Sequence, residues 1–150
     1  MTPPATDQPV AVITGAASGI GRACAGLMRQ SGWRTAGIDL NPSETDLSLQ
    51  ADVSGRAAVA AAVDRAAERF GRIDLLVSAA GYYEEGIDVA DITIAQWDRM
   101  LAVILGGTVN CCAAVLGLLG ALIVWRTFRP GAAAGGTESR AAVAAQADDA

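Results

Sequence analysis

Three glycines, Gly15, Gly19 and Gly21, stand in the run Val10-Ala11-Val12-Ile13-Thr14-Gly15-Ala16-Ala17-Ser18-Gly19-Ile20-Gly21. Glycine at this spacing lets a backbone turn tightly and approach a diphosphate with no side chain in between. A helix opening directly after the turn would aim free N–H groups and the positive end of its dipole at phosphate oxygens. The chemistry is therefore capture of a dinucleotide's pyrophosphate. Asp39 follows at the end of the next apolar run, where a carboxylate can accept hydrogen bonds from ribose hydroxyls. It would repel a 2′-phosphate, which favours NAD over NADP. An absence weighs equally: the chain holds no Lys and no His, and all 11 of its basic residues are Arg.

These residues need elements to position them. Val10 to Thr14 is a continuous apolar run of strand length, as expected for a strand covered on both faces. The following helix carries Ile20, Cys24, Leu27 and Met28 at three- and four-residue spacing and ends near Ser31-Gly32. Thr35 to Ile38 reads as a second strand, Asn41-Pro42-Ser43 as a loop, and Leu47 to Ala51 as a weaker third strand. Ser54 is placed to cap a helix that runs to Phe70 and stops at Gly71, with Val59, Ala62, Val63, Ala66 and Phe70 on one face. Ile73 to Val77 is a fourth strand. An acidic loop through Glu84, Glu85, Asp88 and Asp91 leads to Thr93, the expected cap of a last helix. Strands separated by helices predict parallel pairing through right-handed crossovers, an α/β fold of the Rossmann type.

Composition bounds the rest. The chain has 150 residues, enough for one domain with a core, and 52% of them are apolar, which argues against disorder. The net charge of −5 leaves no basic stripe to follow a nucleic-acid backbone, so no nucleic-acid partner is expected. Cys24, Cys111 and Cys112 have no metal-ligand spacing and read as reduced, buried thiols. Residues 1–9 read as a disordered lead-in without the basic and apolar regions of a signal peptide. From Leu101 to Trp125 no charged residue occurs, a length sufficient to cross a bilayer. Trp125, Arg126 and Arg129 flank it as they would a membrane helix. Residues 126–150 form an Ala- and Gly-rich tail with a weak helical pattern from Ser139 to Gln146.

The arrangement resembles the short-chain dehydrogenase/reductase family over roughly Val10 to Leu119, the N-terminal half of a member. The resemblance rests on Thr14-Gly15-Ala16-Ala17-Ser18-Gly19-Ile20-Gly21, Asp39, Asp52-Val53, Phe70-Gly71-Arg72-Ile73-Asp74-Leu75-Leu76-Val77, Ala80-Gly81 and Trp97-Asp98-Arg99-Met100-Leu101-Ala102-Val103. It implies an incomplete Rossmann-type sheet of about four strands over residues 10–125, followed by a long apolar helix at 101–125. It implies NAD as cofactor, hydride transfer with an alcohol or ketone, and a cytoplasmic location. Ser18 and Ile20 would line the pyrophosphate turn, Asp52 would meet the adenine amino group, and Val53 would offer a backbone contact to the ring. Ala79, Ala80 and Gly81 would lie beside a cofactor ribose.

The departures from the family matter for activity. Its chemistry uses a Tyr with a Lys four residues later, and a Ser on a fifth strand; no Lys is present here. Tyr82 and Tyr83 fall in the loop after the fourth strand, and Ile104 stands where the family places a relay Asn. The expected catalytic residues are thus none. Two other classes of function stay open: a non-catalytic dinucleotide-binding module, and a membrane-anchored protein with a vestigial nucleotide fold. The 101–125 segment predicts either homo-oligomer formation or membrane association. A membrane topology set by its arginines would place the nucleotide half outside the cell, away from NAD.

Overall fold

The computed structural model describes residues 8–83 and 86–127. Residues 1–7 of the expected lead-in, Glu84, Glu85, and the tail from 128 with its Ser139–Gln146 pattern lie outside the described residues.

Val10–Thr14 (β1) is buried at every position, as its unbroken apolar character requires. It is central in a parallel four-stranded sheet ordered β3-β2-β1-β4, with β2 at Arg34–Asp39, β3 at Leu47–Gln50 and β4 at Leu75–Ser78. The alternation of strand side chains divides the core in two. Ala11 and Ile13 pack with Ala25 beneath α1 (Gly19–Gln30), with Leu75 and Val77 of β4 alongside. Val12, Ala36, Ile38 and Leu49 face the other way, against Val59, Ala62, Val63 and Ala66 of α2 (Arg56–Phe70). That α2 face is the one its spacing predicts, and Gly71 ends the helix in a left-handed conformation, φ 77°.

Local chemistry departs from expectation at three points. The N-cap of α2 is Gly55; the Ser54 hydroxyl is occupied by Asp52, at 2.7 Å. A carboxylate two residues upstream outcompetes the helix N–H groups for that hydroxyl. Second, Ile20 and Leu27 of α1 are 76% and 64% exposed, while the small residues Gly21 and Ala25 are buried. The two small residues form the fully buried part of the packed face, with Met28, as its spacing predicts, partly buried against the same cluster. Third, of the cysteines expected to be buried only Cys111 is; Cys24 is half-buried and Cys112 exposed, although all three are free thiols.

Thr93 caps α3 (Ile94–Leu101) in a capping box with Gln96. The helix continues through a π-helical turn at Ala102–Gly106 into α4 (Gly107–Thr127). One face of this helix belongs to the domain. Cys111 is fully buried, and Val103, Ala114, Val115 and Leu118 pack on the α2-side core. Burial pushes the Cys111 thiol up to about 11, the neighbouring Cys112 adding to the effect. Gly107 sits so close to Val53 that a Cβ would lie 2.6 Å from its Cγ2. The Asn110 amide donates to the carbonyls of Val53 and Ser54, at 3.0 and 3.2 Å. The opposite face leaves Trp97, Leu101, Ile104, Leu105, Val109 and Leu116 exposed. By length and composition Ile94–Leu118 could cross a membrane, with a mean hydropathy of 2.1.

Candidate functional site

Every residue singled out for cofactor binding lies at or just beyond the C-terminal end of a parallel strand. Gly15 to Gly21 follow β1, Asp39 ends β2, Asp52 and Val53 follow β3, and Ala79 to Gly81 follow β4. Parallel strands bring these ends to one edge of the sheet. The strand order reverses between β1 and β4, the place where open α/β sheets form a crevice for ligands.

The turn is built for backbone exposure. Gly15 and Gly19 have φ of 67° and 49°, left-handed values that disfavour other residues. The two glycines differ in their surroundings. A Cβ on Gly19 would meet nothing within 4 Å, whereas one on Gly15 would lie 2.7 Å from the carbonyl oxygen of Ala79. A Cβ on Gly21 would run into the Gly15 carbonyl. Gly15 and Gly21 therefore allow the turn to pack against β4 and on itself, and Gly19 faces open space. Ser18 occupies the N-cap of α1 in an extended conformation, yet its hydroxyl makes no capping bond, and no acid stands in the first turn. The first-turn N–H groups thus receive no capping bond from Ser18 and meet no acid within that turn.

Asp39 is tied to this turn. One carboxylate oxygen accepts the Ala17 N–H at 3.0 Å, and the other accepts the Asn41 N–H at 2.9 Å. The carboxylate therefore stands beside the glycine turn, fixed by two backbone donors. Asp52 accepts both the N–H and the hydroxyl of Ser54, which hold its carboxyl below the usual range, with a further contribution from the Arg99 charge. The Val53 side chain is buried and its carbonyl accepts the Asn110 amide.

Sequence reasoning missed Thr14 as a site-building residue. Its hydroxyl, fully buried, accepts the N–H groups of both Ala79 and Ala80 at 3.0 Å. This bond pair joins the end of β1 to the segment expected beside the ribose. The only available signal was a hydroxyl residue ending an otherwise apolar strand. Asn110 was missed for the same reason: its partners lie 56 and 57 residues away. Tyr82 stacks under the Arg99 guanidinium, 4.6 Å from the ring centroid, and sits in the loop beyond Gly81.

A sequence model described as short chain dehydrogenase matches residues 9–122. The D-threitol dehydrogenase of Mycolicibacterium smegmatis is 39% identical over 122 residues, covering 73% of this chain and 46% of that protein. The cis-4-hydroxycyclohexanecarboxylate dehydrogenase of Sinomonas cyclohexanicum is 35% identical over 114 residues, covering 68% and 46%. Among solved structures, a 3-ketoacyl-(acyl-carrier-protein) reductase from Brucella melitensis complexed with NADH superposes with a TM-score of 0.68 at 28% identity, covering 73% of this chain and 49% of that one. The chain spans about half the length of the curated relatives it matches. A parallel sheet with a glycine turn at its switch point and this breadth of similarity lead to one assignment: the chain belongs to the short-chain dehydrogenase/reductase family.

Proposed function

We propose that residues 10–125 form a partial dinucleotide-binding domain that takes NAD(H) in preference to NADP(H). The observation that carries this reading is the bare N-terminus of α1, next to the open face of Gly19 and the anchored Asp39 carboxylate. The N–H groups after Ser18, with its free hydroxyl, would hold the pyrophosphate. Asp39 would accept ribose hydroxyls, Asp52 and the Val53 N–H would meet the adenine, and Ala79 to Gly81 would flank the second ribose. A bound nicotinamide would supply or accept a hydride opposite an alcohol or ketone.

This chain's own residues supply binding without proton transfer. No Lys is present among the 150 residues, and Ile104 offers no side-chain hydrogen bond near the sheet edge. Acid–base assistance worth roughly 10²–10⁴-fold is missing. The 150-residue chain is therefore expected to bind cofactor and show no turnover on simple alcohols or ketones above background. Steady-state assays check this; robust turnover abolished by Tyr82→Phe or Tyr83→Phe would overturn it.

Cofactor choice is tested by titrating NADH and NADPH separately and following their fluorescence. Tighter NADH binding is expected, with the difference narrowed in Asp39→Ala, because a 2′-phosphate would lie against a like charge. Equal affinities for the wild type would remove Asp39 from the site.

Membrane association is the second reading, favoured by the apolar helix Ile94–Leu118. Against a free span stands the use of Gly107, Asn110 and Cys111 to pack that helix on the sheet. Sedimentation with lipid vesicles separates the two readings.

A further inference from the structure

Parallel strands are ordinarily joined by a crossover of a dozen or more residues, most often a helix. β2 and β3 run parallel, yet only residues 40–46 join them. The register permits this. Leu47 pairs with Ala36, so the chain returns only from Asp39 to the level of Ala36, about 10 Å along β2. Ala36 and Ile38 face the α2-side core, which puts Gly37 on the α1 side of the sheet. There the return lies directly on the strand. A Cβ on Gly37 would run into the Ser43 hydroxyl and would lie 2.8 Å from both the Thr45 hydroxyl and the Ala16 Cβ. Gly37 has no left-handed φ, so its missing side chain serves close approach alone.

The return is tied down along its length. Gln50 donates to the Leu40 carbonyl at 3.2 Å, and Arg29 of α1 donates to the Glu44 carbonyl at 2.8 Å. The Ser43 N–H donates to the Ser48 hydroxyl at 2.9 Å, and the Ser43 and Thr45 hydroxyls lie 3.0 Å apart. Asp46 closes the segment by accepting the Thr35 N–H at 2.8 Å. At its start, the Asn41 N–H donates to one Asp39 oxygen while the Ala17 N–H holds the other. The Asp39 carboxylate is therefore gripped between the glycine turn and the return. The height of the return above β2 sets where the Asn41 donor stands, and Gly37 sets that height.

We propose that Gly37 is a positioning residue for cofactor binding, acting through the return and the Asn41 N–H to orient the Asp39 carboxylate; this rests on the dinucleotide site proposed above. A carboxylate fixed in one orientation meets a ribose without first losing rotamer freedom, and it keeps its charge against a 2′-phosphate. One added carbon at Gly37 lifts Ser43 and Thr45, draws Asn41 away and frees the carboxylate to rotate.

The test joins Gly37→Ala and Asp39→Ala in a double-mutant cycle on the full chain, with NADH and NADPH titrated separately. Gly37→Ala is expected to weaken NADH binding several-fold, to weaken NADPH binding less, and to add nothing once Asp39 is already replaced. Amide exchange followed by NMR needs no cofactor: the Asn41 N–H is expected to be protected in the wild type and to exchange faster in Gly37→Ala. Equal losses for both cofactors, additive effects in the cycle, or unchanged Asn41 exchange would overturn the proposal. A wild type that binds neither cofactor, with Asn41 exchange as expected, would instead overturn the dinucleotide reading and support the hold of Gly37 on Asp39. Because a Cβ within buried β2 could unfold the domain, a second variant, Ser43→Gly with Thr45→Ala, loosens the return and leaves the strand untouched. Faster Asn41 exchange and a narrowed cofactor preference are expected there too, and their absence would equally overturn the assignment.

Discussion

At the scale of single residues, the two left-handed glycines of the turn are required for different reasons. Gly15 is pressed against the backbone of Ala79 and Ala80, and Gly19 faces open space. If both glycines served only to admit pyrophosphate, a side chain at either position would block it without harming the fold. The packing around Gly15 corrects that expectation for one of them. Gly15→Ala is expected to destabilise the whole domain, because its Cβ would overlap a backbone carbonyl that has nowhere to move. Gly19→Ala is expected to fold, at a cost of about 1–2 kcal/mol for the left-handed conformation, and to bind NADH more weakly. Thermal melts and cofactor titration on both variants separate the two effects; equal behaviour would show that the difference in space is immaterial.

At the scale of elements, the junctions between strands and helices are held by side chains reaching backbone groups. Thr14 joins β1 to the end of β4, Asp46 accepts from the N–H and hydroxyl of buried Thr35 on β2, and Asn110 joins α4 to the turn before α2. Asp74 does the same at the opposite edge of the sheet. Its carboxylate takes the Val10 N–H at 2.8 Å and forms a two-pronged ion pair with Arg72. The Arg72 bonds, with the Val10 N–H assisting, hold Asp74 below its ordinary value of 3.8. A carboxyl depressed in the folded state stabilises the fold above its unfolded value, and that contribution disappears as pH falls through the folded value. Asp74→Asn is therefore expected to lower the melting temperature at neutral pH and to converge with the wild type in acid. Melting curves taken from neutral pH to below 3.8 check this; a constant difference across the range would assign the effect to packing alone.

At the scale of the whole molecule, the long apolar helix has two unlike faces. Gly107, Cys111 and Asn110 bind it to the nucleotide fold, while Leu105 and Leu116 remain 61% and 66% exposed. If the helix only packed on the sheet through all its large side chains, Arg at positions 105 and 116 would unfold the domain. Their exposure reverses that expectation: Leu105→Arg and Leu116→Arg are expected to leave the melting temperature nearly unchanged. Gly107→Leu is expected to unfold the domain, since Val53 already fills the space of its first carbon. In a bilayer, by contrast, each Arg would oppose insertion by about 2.5–3.5 kcal/mol. Circular dichroism melts and vesicle flotation of these variants distinguish a helix held by the fold from one held by lipid.

The local alphabet of this chain determined the order of its elements. A β-branched run, glycines at 15, 19 and 21, a C-terminal glycine at 71, and Thr93 with Gln96 each act within a few residues, where spacing alone fixes the chemistry. The placement of Asp39 and of Asp52 after their strands was legible for the same reason. What the sequence could not determine was which surfaces meet. Ile20 and Leu27 carry much of the hydrophobic signal of α1, but the residues buried fully against the sheet are Gly21 and Ala25, with Met28 partly covered. Thr14, Asn110 and Gly15 gain their roles from partners that only the tertiary structure brings near. The order β3-β2-β1-β4 is likewise a property of the assembled sheet. Short-range sterics write the elements, whereas close packing between distant segments decides which of their faces are spent and which remain to bind.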